Sequence, residues 1–271
     1  MIVLHSEAII YGKIHRFNKW AGPTMIRSIL AGVYIALGGL FMGLLKLEGY
    51  PKLLYSAGFS IGLFLVVMAN GELFTGNCLV KPFIEEDDAA LKSSEMLLFN
   101  YIGNIIGALI VFILVKNIPS IDSSVFSEIA KAKCSPDISI IELLLKGFFC
   151  NILVCLAVWI AAYSGYCETG ISVFIALLLP VSMFIFCGFE HSIANAFFLP
   201  FGFVEGSISI YQLLGNLAFV TLGNWFGGRI VGFCLYETVI GDKIDFIQNH
   251  SLDDCNDSSD CCDCSNSEDS I

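Results

Sequence analysis

One histidine of this sequence lies inside a long apolar stretch. His191 follows Glu190 in the segment CGFEHSIANAFFLP, whose other residues are mostly apolar. The remaining histidines, His5, His15 and His250, lie in polar terminal segments. An imidazole can donate, accept or exchange a proton near neutral pH, and burying one in an apolar environment is costly. The position of His191 therefore predicts a functional role.

Two pairs of glutamate and asparagine recur with the same internal spacing. Glu72 and Asn77 are five residues apart in GELFTGN, and Glu190 and Asn195 are five apart in FEHSIAN. The glutamates are 118 positions apart, and so are the asparagines. We expect these side chains to support breaks in helices, because carboxylates and amides can satisfy loose backbone groups. Direct contact of the carboxylates with a solute is the alternative.

The flanking segments repeat with nearly the same offset. The pattern G-N-x-x-G at 103–107 recurs at 223–227, and Arg27 matches Lys146 at an offset of 119. Spaced glycines are common packing devices in membrane helices, but packing does not explain matched Glu and Asn. If each half contains three membrane spans, an odd number, the second half enters the membrane from the face opposite to the first. The sequence therefore predicts an inverted repeat, with its site between two broken helices.

Composition indicates a membrane protein. The 271 residues are 56% hydrophobic and 14% charged, with a mean hydropathy of +0.77, whereas soluble domains are about 25% charged. The net charge of −11 comes mostly from residues 242–271, which hold nine acidic residues and one lysine. The rest is close to neutral, so the acidity says little about a pore, and nothing suggests nucleic-acid binding.

Hydropathy predicts an all-α integral membrane protein with six transmembrane helices. The apolar stretches run near 27–45, 55–80, 97–115, 141–163, 171–203 and 210–236. The second and fifth are long and contain polar residues, so we expect helices 2 and 5 to be broken. The even number of spans places both termini on one side of the membrane. Lys and Arg are slightly more frequent near the spans on that side, which favours a cytoplasmic location for both termini.

Three regions follow from this pattern. Residues 1–26 form an N-terminal cytoplasmic segment, 27–240 a six-span membrane domain with repeats at 27–115 and 141–236, and 241–271 an acidic tail. The tail holds four of the eleven cysteines: Cys255, Cys261, Cys262 and Cys264. Crowded thiols favour a reducing compartment, and the acidic composition favours disorder. Soft-metal binding or redox sensing is the alternative, although the spacing matches no standard zinc pattern. We predict no metal or cofactor.

Four segments resemble the formate/nitrite transporter family of channels. They are LFTGN at Leu73–Asn77, CNILVCLAVW at Cys150–Trp159, GFEHSIANAFFLP at Gly188–Pro200 and NLAFVTLGNWFGG at Asn216–Gly228. The resemblance covers residues 27–236. It implies an aquaporin-like protomer with its own pore, five copies of which assemble in an inner or plasma membrane. Family members carry formate, nitrite, hydrosulfide or lactate, and the sequence leaves open which anion is physiological.

The resemblance also implies a substrate pathway, whose residues are His191, Thr75, Leu73, Phe74, Phe184, Val154, Leu63, Asn151 and Asn224. His191 is the central histidine and faces Thr75. Leu73 and Phe74 belong to the inner constriction. Phe184, with Val154 and Leu63, belongs to the other constriction. Asn151 and Asn224 line or support the wall, while Glu72, Glu190, Asn77 and Asn195 support the breaks.

Physics restricts transport through such a pore. Moving a bare anion into a dry constriction costs several kcal/mol. The positive ends of two half-helices and donors from His191 and Thr75 can offset part of this cost. The second route is a proton shared with His191, which would let the solute cross as the neutral acid. Small anions, protons and the lipid bilayer are thus the expected partners.

Three other classes compete with this interpretation. An intramembrane redox or cofactor-binding enzyme would need facing histidines or a His-Glu-x-x-His motif, and the sequence has neither. A water or glycerol channel would carry paired Asn-Pro-Ala motifs, which are missing. A scaffold protein gives no role to His191. We therefore expect a channel and not an enzyme.

Overall fold

The computed structural model describes residues 21–79, 87–164 and 170–235. Their helices are α1 (Ala21–Leu47), α2 (Lys52–Met68), α3 (Phe74–Asn77), α4 (Asp87–Lys116), α5 (Ser124–Lys133), α6 (Ile140–Ser164), α7 (Gly170–Cys187), α8 (Ser192–Val204) and α9 (Ile210–Leu235). These ranges contain no strand, so the all-α prediction is confirmed. The predicted tail and most of the N-terminal segment lie outside the described residues, and the three-region division stays a prediction.

The helices agree with the six predicted spans. Four of them, α1, α4, α6 and α9, are long and apolar enough to cross a bilayer alone, and α7 with α8 makes a fifth span bent by 45°. The remaining predicted stretch, 55–80, consists of α2, which is 17 residues or about 25 Å long, and the single turn α3. Both predicted breaks are therefore present.

Helix α5 lies in the connector between α4 and α6, where hydropathy predicts no membrane span. Its ten residues are amphipathic: Val125, Phe126, Ile129 and Ala130 are buried, whereas Glu128 and Lys131 are exposed. The buried face packs against α8. A short helix with half of its residues polar has too low a mean hydropathy to be detected as a membrane segment.

The two breaks have the same backbone geometry. Helix α2 is followed by Asn70 with φ 54°, and α7 is followed by Gly188 with φ 73°. In each case the next N–H bonds to the carbonyl five residues earlier, at 2.7 Å after α2 and 2.9 Å after α7. This is the Schellman arrangement that ends helices at a left-handed residue. Three non-helical residues, 71–73 and 189–191, then lead into α3 and α8.

Glycines let the long helices of each half cross closely. A Cβ on Gly32 of α1 or Gly107 of α4 would lie 2.0 Å from a backbone oxygen of the other helix. A Cβ on Gly223 or Gly227 of α9 would lie 2.3 Å from a backbone oxygen of α6. Gly107 and Gly227, the last glycines of the two G-N-x-x-G patterns, therefore make close backbone contact at the same place in both halves.

Candidate functional site

A buried hydrogen bond joins the two breaks. His191 Nε2 lies 3.0 Å from Thr75 Oγ1, and the residues are 2% and 0% exposed. His191 is also the N-cap of α8, where its Nδ1 accepts the Ala194 N–H at 3.2 Å. Because Nδ1 accepts, the neutral ring carries its proton on Nε2 and donates it to Thr75. The Thr75 hydroxyl then keeps its own proton for another acceptor.

Two asparagines hold the starts of α3 and α8. Asn104 Oδ1 accepts the Phe74 N–H at 2.8 Å, and Asn224 Oδ1 accepts the Ser192 N–H at 2.9 Å. Each side-chain nitrogen also donates to the carbonyl two residues before the capped N–H, at 3.0 Å and 2.9 Å. The matched contacts show that the sequence repeat is a repeat of hydrogen bonds. They also fix the non-helical backbone that bears His191.

These caps occupy backbone N–H groups at the helix ends that could otherwise bind an anion. The N–H groups of Phe74, Ser192 and Ala194 are all accepted by protein side chains. In addition, α3 has only four residues, so it has little cooperative dipole, whereas α8 has thirteen. The two half-helices are therefore unequal, and the expected contribution from helix ends falls mainly to α8.

Aromatic rings adjoin both partners of the central hydrogen bond. Phe184 stacks on His191 with ring centroids 6.0 Å apart and planes at 18°. Phe59 meets Phe184 edge-on at 5.8 Å, and Phe74, next to Thr75, meets Tyr101 at 5.1 Å. Phe184 and Phe74 are predicted pathway residues, whereas Phe59 and Tyr101 are not. The central hydrogen bond therefore lies among apolar rings.

The other predicted pathway residues are buried in the same core. Leu73, Leu63 and Val154 are each exposed by 2% or less. Leu73 is the N-cap of α3, the position that His191 occupies in α8. Asn151 and Asn224 are fully buried and joined by a 2.6 Å hydrogen bond from Asn151 Nδ2 to the Asn224 carbonyl. Their places along a pathway stay predictions.

Both glutamates accept a hydrogen bond from the asparagine of the same motif. Asn77 Nδ2 lies 2.8 Å from Glu72 Oε2, and Asn195 Nδ2 lies 2.8 Å from Glu190 Oε2. Lys133 of α5 adds an ion pair to Glu190 with an N–O distance of 2.6 Å. A buried carboxylate is costly unless it is paired and hydrogen-bonded, which these contacts provide.

The Lys133–Glu190 pair belongs to a closed network. Asn195 Nδ2 also donates to Asn216 Oδ1 at 2.8 Å, and Asn216 Nδ2 donates to the Lys133 carbonyl at 3.0 Å. Lys133 is not among the site residues predicted from the sequence. No local pattern reveals the pair, because 57 residues separate its members.

Replacing Lys133 by methionine is expected to lower the free energy of unfolding by about 3 kcal/mol, because it leaves a buried carboxylate without its cation. The exposed pair Lys116–Glu205, with side chains 32% exposed, is the control. Lys116→Met should cost less than about 1 kcal/mol. Thermal unfolding in detergent measures both variants, and equal midpoints would contradict a special role for the buried pair.

Among the described residues, no group of three or more His, Cys, Asp or Glu side chains is placed to hold a metal ion. The tail cysteines lie outside those residues.

Comparison of the sequence and the structure with known proteins identifies the family of this chain. The model of the formate/nitrite transporter family matches residues 6–237. A probable formate transporter of Methanothermobacter thermautotrophicus is 33% identical over 245 residues, covering 79% of this chain and 88% of that protein.

Two solved structures agree. An FNT family ion channel superposes with a TM-score of 0.77 at 27% identity, over 88% of this chain and 98% of its own. A pentameric formate channel with formate bound superposes with a TM-score of 0.71 at 28% identity, over 82% and 98%. These relatives are transporters and channels and not enzymes. The chain, a multi-pass membrane protein, belongs to the formate/nitrite transporter family.

Proposed function

We propose that this chain forms a pore for small monovalent anions of weak acids, with formate and nitrite as the first candidates. The family match and the relative that binds formate support this class of solute. The observation that carries the proposal is the His191–Thr75 hydrogen bond, a polar contact set among apolar rings. Hydrosulfide belongs to the same chemical class and is included in the test below.

The cost of removing an anion from water favours a solute that is protonated, or that accepts a hydrogen bond at the centre of the pore. A bare anion loses several kcal/mol of hydration in a dry constriction, and the rings of Phe184 and Phe74 cannot replace that hydration. The Thr75 hydroxyl keeps a proton that it can donate to a carboxylate or nitrite oxygen. The N-terminus of α8 adds a favourable field for negative charge. Together these groups lower the barrier at the centre.

The role of His191 in this proposal is to set the direction of the hydrogen bonds. A second proton on Nδ1 would point at the Ala194 N–H, so charging the ring requires breaking the cap of α8. The neutral ring instead donates to Thr75 and turns the hydroxyl proton toward the solute. The solute that crosses as the neutral acid takes its proton from water before it reaches the rings. This differs from the expectation that His191 shares its proton with the solute.

Five copies in an inner or plasma membrane, with both termini in the cytoplasm, complete the proposal. The pentameric relative supports the assembly. The even number of spans and the distribution of Lys and Arg support the orientation.

Flux into liposomes over a series of pH values tests the proposal. Formate, nitrite and hydrosulfide are compared with and without protein, because neutral acids also cross plain lipid. A small carboxylic acid has a pKa about three units below neutral, so its neutral fraction falls about tenfold for each pH unit near pH 7. We expect protein-dependent flux to fall as the pH rises.

The His191→Ala variant separates the roles of solute and histidine. If the solute is the group that titrates, flux through this variant is lower at every pH but keeps the same slope. A changed slope would show that His191 itself titrates during transport. Protein-dependent flux of none of the three anions would overturn the proposed function.

A further inference from the structure

The backbone of Thr75 poses a structural problem, because the helix that carries it is a single turn. An isolated turn of four residues is not stable in itself, since helix formation needs several cooperative bonds. The N–H of Leu79, which would reach the Thr75 carbonyl in a continued helix, donates to Gly76 instead at 3.4 Å. The Thr75 carbonyl is therefore not held by its own helix.

Two side chains of α6 hold that carbonyl. Asn151 Nδ2 donates to Thr75 O at 3.1 Å, and Cys155 Sγ donates to the same oxygen at 3.4 Å. The two residues are four apart, so they share one face of α6. Both are fully buried. We call this pair, Asn151 with Cys155, the α6 clamp.

Helix α9 supports the clamp from another direction. Gly228 lies so close that a Cβ there would be 2.6 Å from Asn151 Nδ2 and 3.1 Å from Cys155 Sγ. Asn151 is also anchored to the Asn224 carbonyl. The donors therefore have little freedom to turn away from Thr75.

The clamp exists in only one half of the repeat. At an offset of 119, the residues that match Asn151 and Cys155 are Gly32 and Ala36, which have no hydrogen-bonding side chain. At the offset of 118 that pairs Glu72 with Glu190, the residue that matches Thr75 is Ile193, which lies in the thirteen-residue α8 and needs no outside partner for its carbonyl. The clamp thus accompanies the half that carries the hydroxyl.

We propose that Asn151 and Cys155 are positioning residues for Thr75. By holding its carbonyl they fix the backbone of α3, so that the hydroxyl meets His191 Nε2 and directs its proton to the solute. The proposal deepens the proposed function and rests on it. It assigns a role to a buried thiol that the pathway prediction did not include.

The test measures formate flux through variants of Cys155 in liposomes. Cys155→Ala removes one donor and is expected to lower flux about three- to fivefold, the loss of a weak hydrogen bond. Cys155→Ser keeps a donor and should restore flux to within about twofold. Cys150 is the matched control, because it is a fully buried cysteine on the same helix, and Cys150→Ala should leave flux unchanged. If Cys155→Ala does not fold, Cys155→Val removes the donor while filling the space.

A double-variant comparison decides whether the effect acts through Thr75. In a Thr75→Val background the hydroxyl is absent, so adding Cys155→Ala should cause no further loss of flux. Losses that multiply, or a correctly assembled Cys155→Ser protein that stays as slow as Cys155→Ala, would overturn the positioning role. Wild-type protein that passes none of formate, nitrite and hydrosulfide would instead overturn the proposed function, so the two failures are distinguishable.

Discussion

Replacing Thr75 by valine is expected to lower formate flux about ten- to a hundredfold. Valine has nearly the same shape but lacks the hydroxyl, so the anion loses a hydrogen bond of the kind worth about 1.5–3 kcal/mol for charged groups. Stopped-flow measurements on proteoliposomes at fixed pH, corrected for empty liposomes, give the ratio directly.

Thr75→Ser is the matched control for this experiment. It keeps the hydroxyl within reach of His191 Nε2, which lies 3.0 Å from the threonine oxygen in the native protein. Flux through the serine variant should stay within a few-fold of wild type, while the valine variant falls. Equal loss in both variants would mean that the shape of the threonine side chain matters and its proton does not.

Replacing Gly107 by alanine is expected to prevent assembly of a stable protein. The added Cβ would lie 2.0 Å from the Ile29 carbonyl oxygen and 2.8 Å from the Val33 nitrogen, both of which are backbone atoms of α1. Backbone cannot turn aside as a side chain can, so α1 and α4 would have to separate. We expect aggregated or unassembled protein on size-exclusion chromatography after extraction in mild detergent.

Gly215 is the control position for the same substitution of glycine by alanine. It lies in α9, and a Cβ there meets nothing within 4 Å. Gly215→Ala should leave assembly intact and add about 0.5–1 kcal/mol of stability from helix propensity. A Gly107→Ala protein as stable as Gly215→Ala would contradict the close crossing of α1 and α4.

The repeat could be predicted from the sequence because its features are chemically distinctive. Glu72 and Glu190, like Asn104 and Asn224, are polar residues in apolar segments, and nearly equal offsets are visible without a structure. The structure adds what each one does, since the two asparagines cap helices at matched positions. Family resemblance supplied the fold and the pairing of His191 with Thr75.

The features of the site that could not be predicted from the sequence depend on packing between distant segments. Phe59 and Tyr101 are ordinary members of apolar spans, and only the tertiary arrangement shows which of many aromatic side chains meet Phe184 and Phe74. Lys133 lies in an amphipathic helix that hydropathy does not detect. The length of α3 is hidden as well, because hydropathy does not show where a helix that restarts after a break will stop.

The unequal lengths of α3 and α8 also have a mechanical consequence. A four-residue turn has few backbone hydrogen bonds of its own, so side-chain hydrogen bonds from α4 and α6 keep it in place. The thirteen-residue α8 is a rigid rod with its own ladder of bonds. The central hydrogen bond therefore joins a turn that its neighbours hold to a helix that its own backbone bonds hold. Substitutions that remove the contacts to α3 are expected to displace Thr75, whereas His191 keeps its place at the start of α8.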